Sequence, residues 1–263
     1  MTSTTETSTG ARITYSVDGP RSAPALLLSN SIGSTRDLLW ARQADAFSRS
    51  FRLIRYDSRG HGQSSVPPGD YSIADLGGDA LAVLDAVGAS TAHVCGISLG
   101  GITAMWLGIN APDRVSSLVL ADTAARIGTI ESWGERIALV RQQGMSAVAD
   151  RAMLTWFTAE FREREPDTVR RFHAMLSASP AEGYLGCCVA LREADLRHEL
   201  HTIRSPTLVI AGAHDVSTTP EQAEFTRGRV PDARLATLDA AHLTNVERAS
   251  EFNDAVLEFL ASA

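Results

Sequence analysis

The sequence predicts an α/β fold: a mostly parallel sheet with helices on both faces and one long helical insertion. Three observations predict it. Short β-branched or leucine-rich runs alternate with helical patterns along most of the chain, as parallel strands joined by crossover helices require. Several of these runs are apolar at odd and even positions alike, as expected when helices cover both sides of a sheet. From residue 127 to residue 200 the alternation stops, and only helical patterns remain.

Taken in order, residues 1–10 are almost all Thr, Ser and Glu. They lack the basic and apolar regions of a signal peptide and read as a disordered tail. Strands are expected over 13–17 and over 25–29, the second carrying Leu26-Leu27-Leu28. A helix over 35–47, a strand over 51–56 and a helix over 73–87 follow. Next come a strand over 92–95, a helix over 99–111 and a strand over 117–120. The insertion holds helical patterns at 130–142, 147–157 and 168–176, and its aromatic residues (Trp133, Trp156, Phe157, Phe161, Phe172, Tyr184) are packing residues by default. A strand over 207–211, a helix over 220–229, a strand over 234–238 and a helix over 247–261 complete the pattern. The expected division is a core of 11–126 and 201–263, with 127–200 as a helical cap over the sheet ends.

Composition narrows the function. The 263 residues are 44% hydrophobic and 21% charged, enough to bury a large core without disulfides. Twenty-four basic against thirty-one acidic residues leave a net charge of −7, which argues against nucleic acid or an anionic membrane as partner. No apolar run approaches membrane-spanning length. Cys95, Cys187 and Cys188 form an odd set without metal-ligand spacing, so free thiols in a reducing cytoplasm are expected. No internal repeat and no signal of oligomeric state is present.

The chemistry begins at Gly96-Ile97-Ser98-Leu99-Gly100, where a short apolar strand meets a helical pattern. G-x-S-x-G between strand and helix makes a sharp turn that lifts a serine hydroxyl into open space. A hydroxyl is a weak nucleophile until a base takes its proton, and the base must itself be oriented by a third group. In such sheets the partners follow in the order serine, acid, histidine. Asp215 follows the strand at 207–211 in Gly212-Ala-His-Asp215, and His242 follows the strand at 234–238 in Asp239-Ala-Ala-His242. Strand carboxyl ends are where such groups gather. The expected triad is Ser98, Asp215 and His242, with Asp122 as the alternative acid because it too follows a strand. His61, in a glycine-rich turn, reads as a loop-shaping residue, and His214 stands in the wrong order for the base. Two backbone donors for the oxyanion are expected from Leu99 and, by counting from the end of the strand at 25–29, from Ser31.

These residues resemble the α/β-hydrolase superfamily and, within it, the 3-oxoadipate enol-lactonases. The resemblance rests on Leu28-Ser-Asn-Ser-Ile-Gly33, Arg55-Tyr-Asp-Ser-Arg-Gly-His-Gly-Gln-Ser64 and Cys95-Gly-Ile-Ser-Leu-Gly-Gly101. It continues through Ala121-Asp-Thr-Ala-Ala-Arg-Ile-Gly128, Trp156-Phe-Thr158, Gly183-Tyr-Leu-Gly-Cys-Cys188 and Asp239-Ala-Ala-His-Leu-Thr-Asn-Val-Glu247. Val216-Ser-Thr-Thr-Pro220 departs from the family's more usual Ala-Thr-Pro-Pro. The resemblance implies hydrolysis of an anionic lactone, 3-oxoadipate enol-lactone, in the β-ketoadipate route of aromatic breakdown, with no cofactor and no metal. The substrate carries a carboxylate, so Arg126 and Trp133 are the candidate donors for it, the alternatives being a surface or cap-anchoring role for Arg126 and cap packing for Trp133. Cys187 and Cys188 are read as small packing residues. Other readings share the triad: a hydrolase of another small ester, a hydrolase of C–C ring-cleavage products, or a cofactor-free perhydrolase. A small-molecule receptor of the same fold would be non-catalytic.

Overall fold

A computed structural model describes residues 2–262. Eight strands form one sheet: β1 (Thr2–Glu6), β2 (Arg12–Asp18), β3 (Ala25–Ser29), β4 (Arg52–Tyr56), β5 (Ala92–Ile97), β6 (Val115–Ala121), β7 (Thr207–Gly212) and β8 (Arg234–Leu238). Their spatial order is β1-β2-β4-β3-β5-β6-β7-β8. The β1–β2 and β2–β4 pairs are antiparallel, and every later pair is parallel. Leu26, Leu27 and Leu28 of β3 are all fully buried, as a strand covered on both faces requires.

The disordered tail expected over 1–10 is corrected for its described part. Thr2 to Glu6 pair with Ser16 to Arg12 as an outer antiparallel strand, after a turn in which Gly10 adopts φ +80°. Polar composition suggested disorder, but β-branched threonines suit a strand, and one face of an edge strand needs no apolar burial. Thr2 Oγ1 and Thr9 Oγ1 also accept hydrogen bonds from the buried Arg36 and Arg59, at 3.5 Å and 3.0 Å.

On the core side, the helix expected over 35–47 is two short turns, α1 (Arg36–Leu39) and α2 (Ala44–Ser48). The break holds Trp40 and Gln43, whose side chains reach inward to Asn30 Oδ1 and to Asn245 O. The helices α3 (Ile73–Ala86) and α4 (Leu99–Asn110) follow as expected, the first closed by a capping box between Ser72 and Asp75.

Between β6 and β7 the chain forms α5 (Ile130–Trp156), α6 (Ala159–Arg164), α7 (Pro166–Ser177) and α8 (Ala181–Glu193), without a strand. The two helices expected at 130–142 and 147–157 are one element broken at Gly144, whose φ of 77° and ψ of −177° interrupt the helix. Helix α8 carries the Gly-Tyr-x-Gly-Cys-Cys motif and explains it by packing. A Cβ at Gly183 would lie 2.3 Å from Gly60 O and 2.4 Å from Gly60 Cα, so two backbones touch where the helical segment meets the core. Cys187 and Cys188 are fully buried, and burial pushes the Cys188 thiol up to about 12, consistent with packing rather than reactivity. Replacing Gly183 with alanine would force these backbones apart. We expect a loss of about 1–3 kcal/mol, read by calorimetry as a melting temperature lower by about 2–4 °C per kcal/mol.

After β7 come α9 (Pro220–Arg229), α10 (Thr244–Glu247) and α11 (Ala249–Ser262), the last two replacing the single helix expected over 247–261. Among the described residues, no helix is long and apolar enough to cross a membrane.

Candidate active site

Ser98 sits between β5 and α4 with φ 54° and ψ −113°, a backbone region that non-glycine residues rarely adopt. Such strain costs on the order of 1–3 kcal/mol and persists only where the surroundings over-determine it. The surroundings do so here. Ser98 N donates to Ala121 O at 3.1 Å, while Ser98 O accepts from Gly101 N, Ile102 N and Thr123 Oγ1 at 2.9, 3.0 and 2.8 Å. The flanking glycines are required by close approach. A Cβ at Gly96 would stand 2.1 Å from Gly100 O, and one at Gly100 would stand 2.1 Å from Ser29 O.

Asp215 and His242, 27 residues apart in sequence, meet in a buried contact: His242 Nδ1 donates to Asp215 Oδ2 at 2.7 Å. That bond leaves Nε2 as the acceptor nitrogen of a neutral imidazole. Asp215 is held by three further donors: Ser217 N (2.7 Å) and Thr218 N (3.1 Å) on one oxygen, Thr218 Oγ1 (2.7 Å) on the other. The departure Val216-Ser-Thr-Thr therefore supplies the clamp on the acid. Burial alone would raise the Asp215 carboxyl, but the His242 charge and the hydrogen bonds from His242 and Thr218 outweigh it and hold it below the usual carboxylate range. For His242, burial works downward, and the carboxylate charge and hydrogen bond of Asp215 carry the imidazole above its ordinary 6.5.

Asp122 does not pair with the histidine. Its Oδ2 accepts from Thr244 N at 3.0 Å and Thr244 Oγ1 at 2.7 Å, and its Oδ1 is buried without a partner. Burial, reinforced by the charge of Asp215, pushes this carboxyl well above the usual range. His61 shapes a loop as expected: Gly33 N donates to its Nε2 at 2.8 Å, and its Nδ1 faces Arg59 O at 3.0 Å.

Ser98 and His242 line one cavity of about 460 Å³, together with Ile32, Ile127, Ser132, Trp133, Arg136, Thr155, Trp156, Val216 and Ser217. Its floor is the carboxyl end of the sheet, and its facing wall is α5. The imidazole's hydrogen bonds all run through Nδ1, and among the described residues none joins it to Ser98 Oγ. Catalytic hydrogen bonds are often long in apo sites and tighten around substrate. Leu99 occupies the first position of α4, where a backbone N–H has no intrahelical partner. Ser31 is buried beside Ile32, and among the described residues its N–H has no backbone acceptor.

The two candidates for substrate binding part company. Trp133 lines the cavity, but its Nε1–H is taken by Ile127 O at 2.6 Å, so it offers a ring face rather than a donor. Arg126 does not line this cavity. It lies in a neighbouring cleft with Arg197, Gln222 and Phe225, paired with Asp195 at 3.3 Å. The two clefts adjoin, Gly128 and Thr129 lining both, and the pairing with Asp195 holds Arg126 in the second of them.

Arg136 stands in the cavity instead. It is half-buried, bonded to Tyr184 Oη at 3.1 Å and 5.8 Å from the centre of the Trp133 ring. Among the described residues no carboxylate pairs with it, and the chain contains no lysine that could take its place. A signal for it existed. Trp133 and Arg136 are three residues apart on one helix, and residues at that spacing share a face.

A family model for the alpha/beta hydrolase fold matches residues 24–249. The chain is 42% identical to 3-oxoadipate enol-lactonase 2 of Acinetobacter baylyi over 252 residues, covering 96% of this chain and 94% of that protein. It is 37% identical to 3-oxoadipate enol-lactonase 1 of the same organism over 243 residues, covering 92% and 91%. The crystal structure of the enol-lactonase from Burkholderia xenovorans superposes with a TM-score of 0.96 at 40% identity, covering 98% of this chain and 100% of that one. With its sheet order, its strained serine and its buried Asp–His pair, the chain belongs to the 3-oxoadipate enol-lactonase family of the α/β-hydrolase fold.

Proposed function

We propose that this protein is a serine hydrolase that opens 3-oxoadipate enol-lactone to 3-oxoadipate. The observation that carries the reading is the strained Ser98 sharing one cavity with a histidine bonded to a buried carboxylate. In this mechanism Ser98 Oγ attacks the ring carbonyl while His242 Nε2 takes its proton, and Asp215 stabilises the imidazolium. The N–H groups of Leu99 and Ser31 receive the oxyanion, with α4 pointing its positive end at the same place. Collapse breaks the bond between acyl carbon and ring oxygen. The leaving enolate takes a proton from the imidazolium and settles as a ketone. Water, deprotonated by His242, then attacks the acyl-serine and releases the second carboxylate.

The substrate's existing carboxylate pairs with Arg136, whose charge no carboxylate among the described residues neutralises. Trp133 supports that guanidinium through its ring, and the helical segment 127–200 acts as the cap that excludes water. Three buried free thiols fit a cytoplasmic enzyme. The test is loss of lactone absorbance with purified protein and enzymatically generated enol-lactone, beside p-nitrophenyl acetate as a neutral ester. Absence of lactone turnover with normal ester turnover would overturn the assigned substrate.

The pH dependence follows from His242. The base acts as the neutral imidazole, so kcat/KM falls as pH drops through its pKa. Burial opposes the rise, but Asp215 lifts that pKa above the ordinary 6.5, so the acid limb of the kcat/KM profile is expected above pH 6.5. A limb below that value would show that burial outweighs the charge and hydrogen bond of Asp215.

A further inference from the structure

His242 is held on both sides by hydrogen bonds that lead to different parts of the molecule. On the core side, Thr244 N and Oγ1 donate to Asp122 at the end of β6. On the other side, Leu243 N donates to Trp156 O at 3.2 Å, and Ala241 N donates to Glu247 Oε1 at 2.8 Å. Trp156 is the last residue of α5 and lines the cavity.

Glu247 extends this second tether. Thr158 N donates to both of its oxygens at 3.2 Å, and Thr158 Oγ1 donates to Oε2 at 2.6 Å. Thr158 caps α6, its hydroxyl accepting from Phe161 N at 3.2 Å. One buried carboxylate therefore joins the backbone immediately before His242 to the α5–α6 junction. Among the described residues Glu247 has no cationic partner, only amide and hydroxyl donors. Burying a carboxylate is costly unless it is fully hydrogen-bonded. An apolar side chain would fill the space without that cost, but it could not hold two separate backbones in register.

We propose that Glu247 is a positioning residue: by bridging Ala241 N–H to Thr158, it makes the placement of the His242 imidazole depend on docking of the α5–α6 junction. The inference rests on the reading of Ser98 and His242 as nucleophile and base. With the helical segment seated, the base is held in the cavity it shares with Ser98; when the junction lifts, the residue before the base loses its acceptor. A misplacement of about 1 Å at a reacting group can cost about 100-fold in rate.

The test compares wild type, Glu247→Gln and Thr158→Val. It measures kcat and KM for p-nitrophenyl acetate, the rate at which a fluorophosphonate probe labels Ser98, and the melting temperature. Glu247→Gln keeps one acceptor oxygen but loses the other, so kcat and the labelling rate are expected to fall about tenfold or more, with KM nearly unchanged. Thr158→Val is expected to fall similarly, and the double variant little further, because both changes cut one bridge. Labelling of Glu247→Gln at the wild-type rate would overturn the inference. If that variant fails to fold, wild-type labelling of Thr158→Val overturns it equally. A wild-type protein that neither takes the probe nor cleaves the ester would instead defeat the serine-hydrolase reading itself.

Discussion

Replacing Ser98 with alanine is expected to lower kcat by about 10⁴- to 10⁶-fold, the range seen when the nucleophile of an acyl-transfer triad is removed. The fold should survive, because the turn is held by backbone bonds and by the glycines at 96 and 100 rather than by the hydroxyl. The variant should therefore melt near the wild-type temperature and still bind the lactone. Any residual rate over the uncatalysed reaction would come from Leu99 N–H, Ser31 N–H and substrate binding, which remain in place. The measurement is single-turnover kinetics with protein in excess, since a trace of wild-type contaminant would otherwise set the floor. Turnover by Ser98→Ala within tenfold of wild type would show that the chemistry runs through another group.

Replacing Arg136 with methionine is expected to raise KM for the enol-lactone by about 10- to 100-fold, in line with the roughly 1.5–3 kcal/mol of a hydrogen bond to a charged group. Methionine retains an unbranched apolar stem against Trp133, so the cavity wall keeps its shape. For p-nitrophenyl acetate, which has no carboxylate, both kcat and KM should stay close to wild type. That contrast separates a binding role from a structural one, because a collapsed wall would harm both substrates. Arg126→Ala supplies the control: its guanidinium lies in the neighbouring cleft with Asp195, and lactone KM should not move. A larger lactone-specific effect at Arg126 than at Arg136 would reverse the assignment.

Much of the site was legible because it is local. Gly96 and Gly100 lie within two residues of Ser98, and their small size is demanded by contacts that the strand–turn–helix connection creates by itself. Asp215 and His242 were legible because each closes a strand, and strand ends in a parallel sheet point to one rim. The first strand was not legible. Thr2–Glu6 carries no apolar pattern, and its order comes from the free edge of β2 and from the contact of the Thr2 hydroxyl with Arg36.

Arg136 was hidden for a different reason. Its spacing from Trp133 puts both on one helical face, but only the docking of α5 turns that face to the cavity. Asp122 and Asp215 each follow a strand, and both satisfy the same sequence rule. The choice between them depended on where the loop after β8 descends, which placed Thr244 over Asp122 and His242 against Asp215. Glu247 is five residues from His242 in sequence, but its partner Thr158 is 89 residues away.

The amino-acid order by itself determined the alternation of strands and helices, the serine turn and the pair of strand ends that carry Asp215 and His242. Contiguous residues suffice for these, because they depend on backbone torsions and the spacing of apolar side chains. The three-dimensional fold alone decided which arginine enters the cavity, which carboxylate meets the imidazole and what tethers the imidazole loop. Those pairings join segments distant in the chain, through the docking of a helical layer on the sheet and through the course of the loops after β7 and β8.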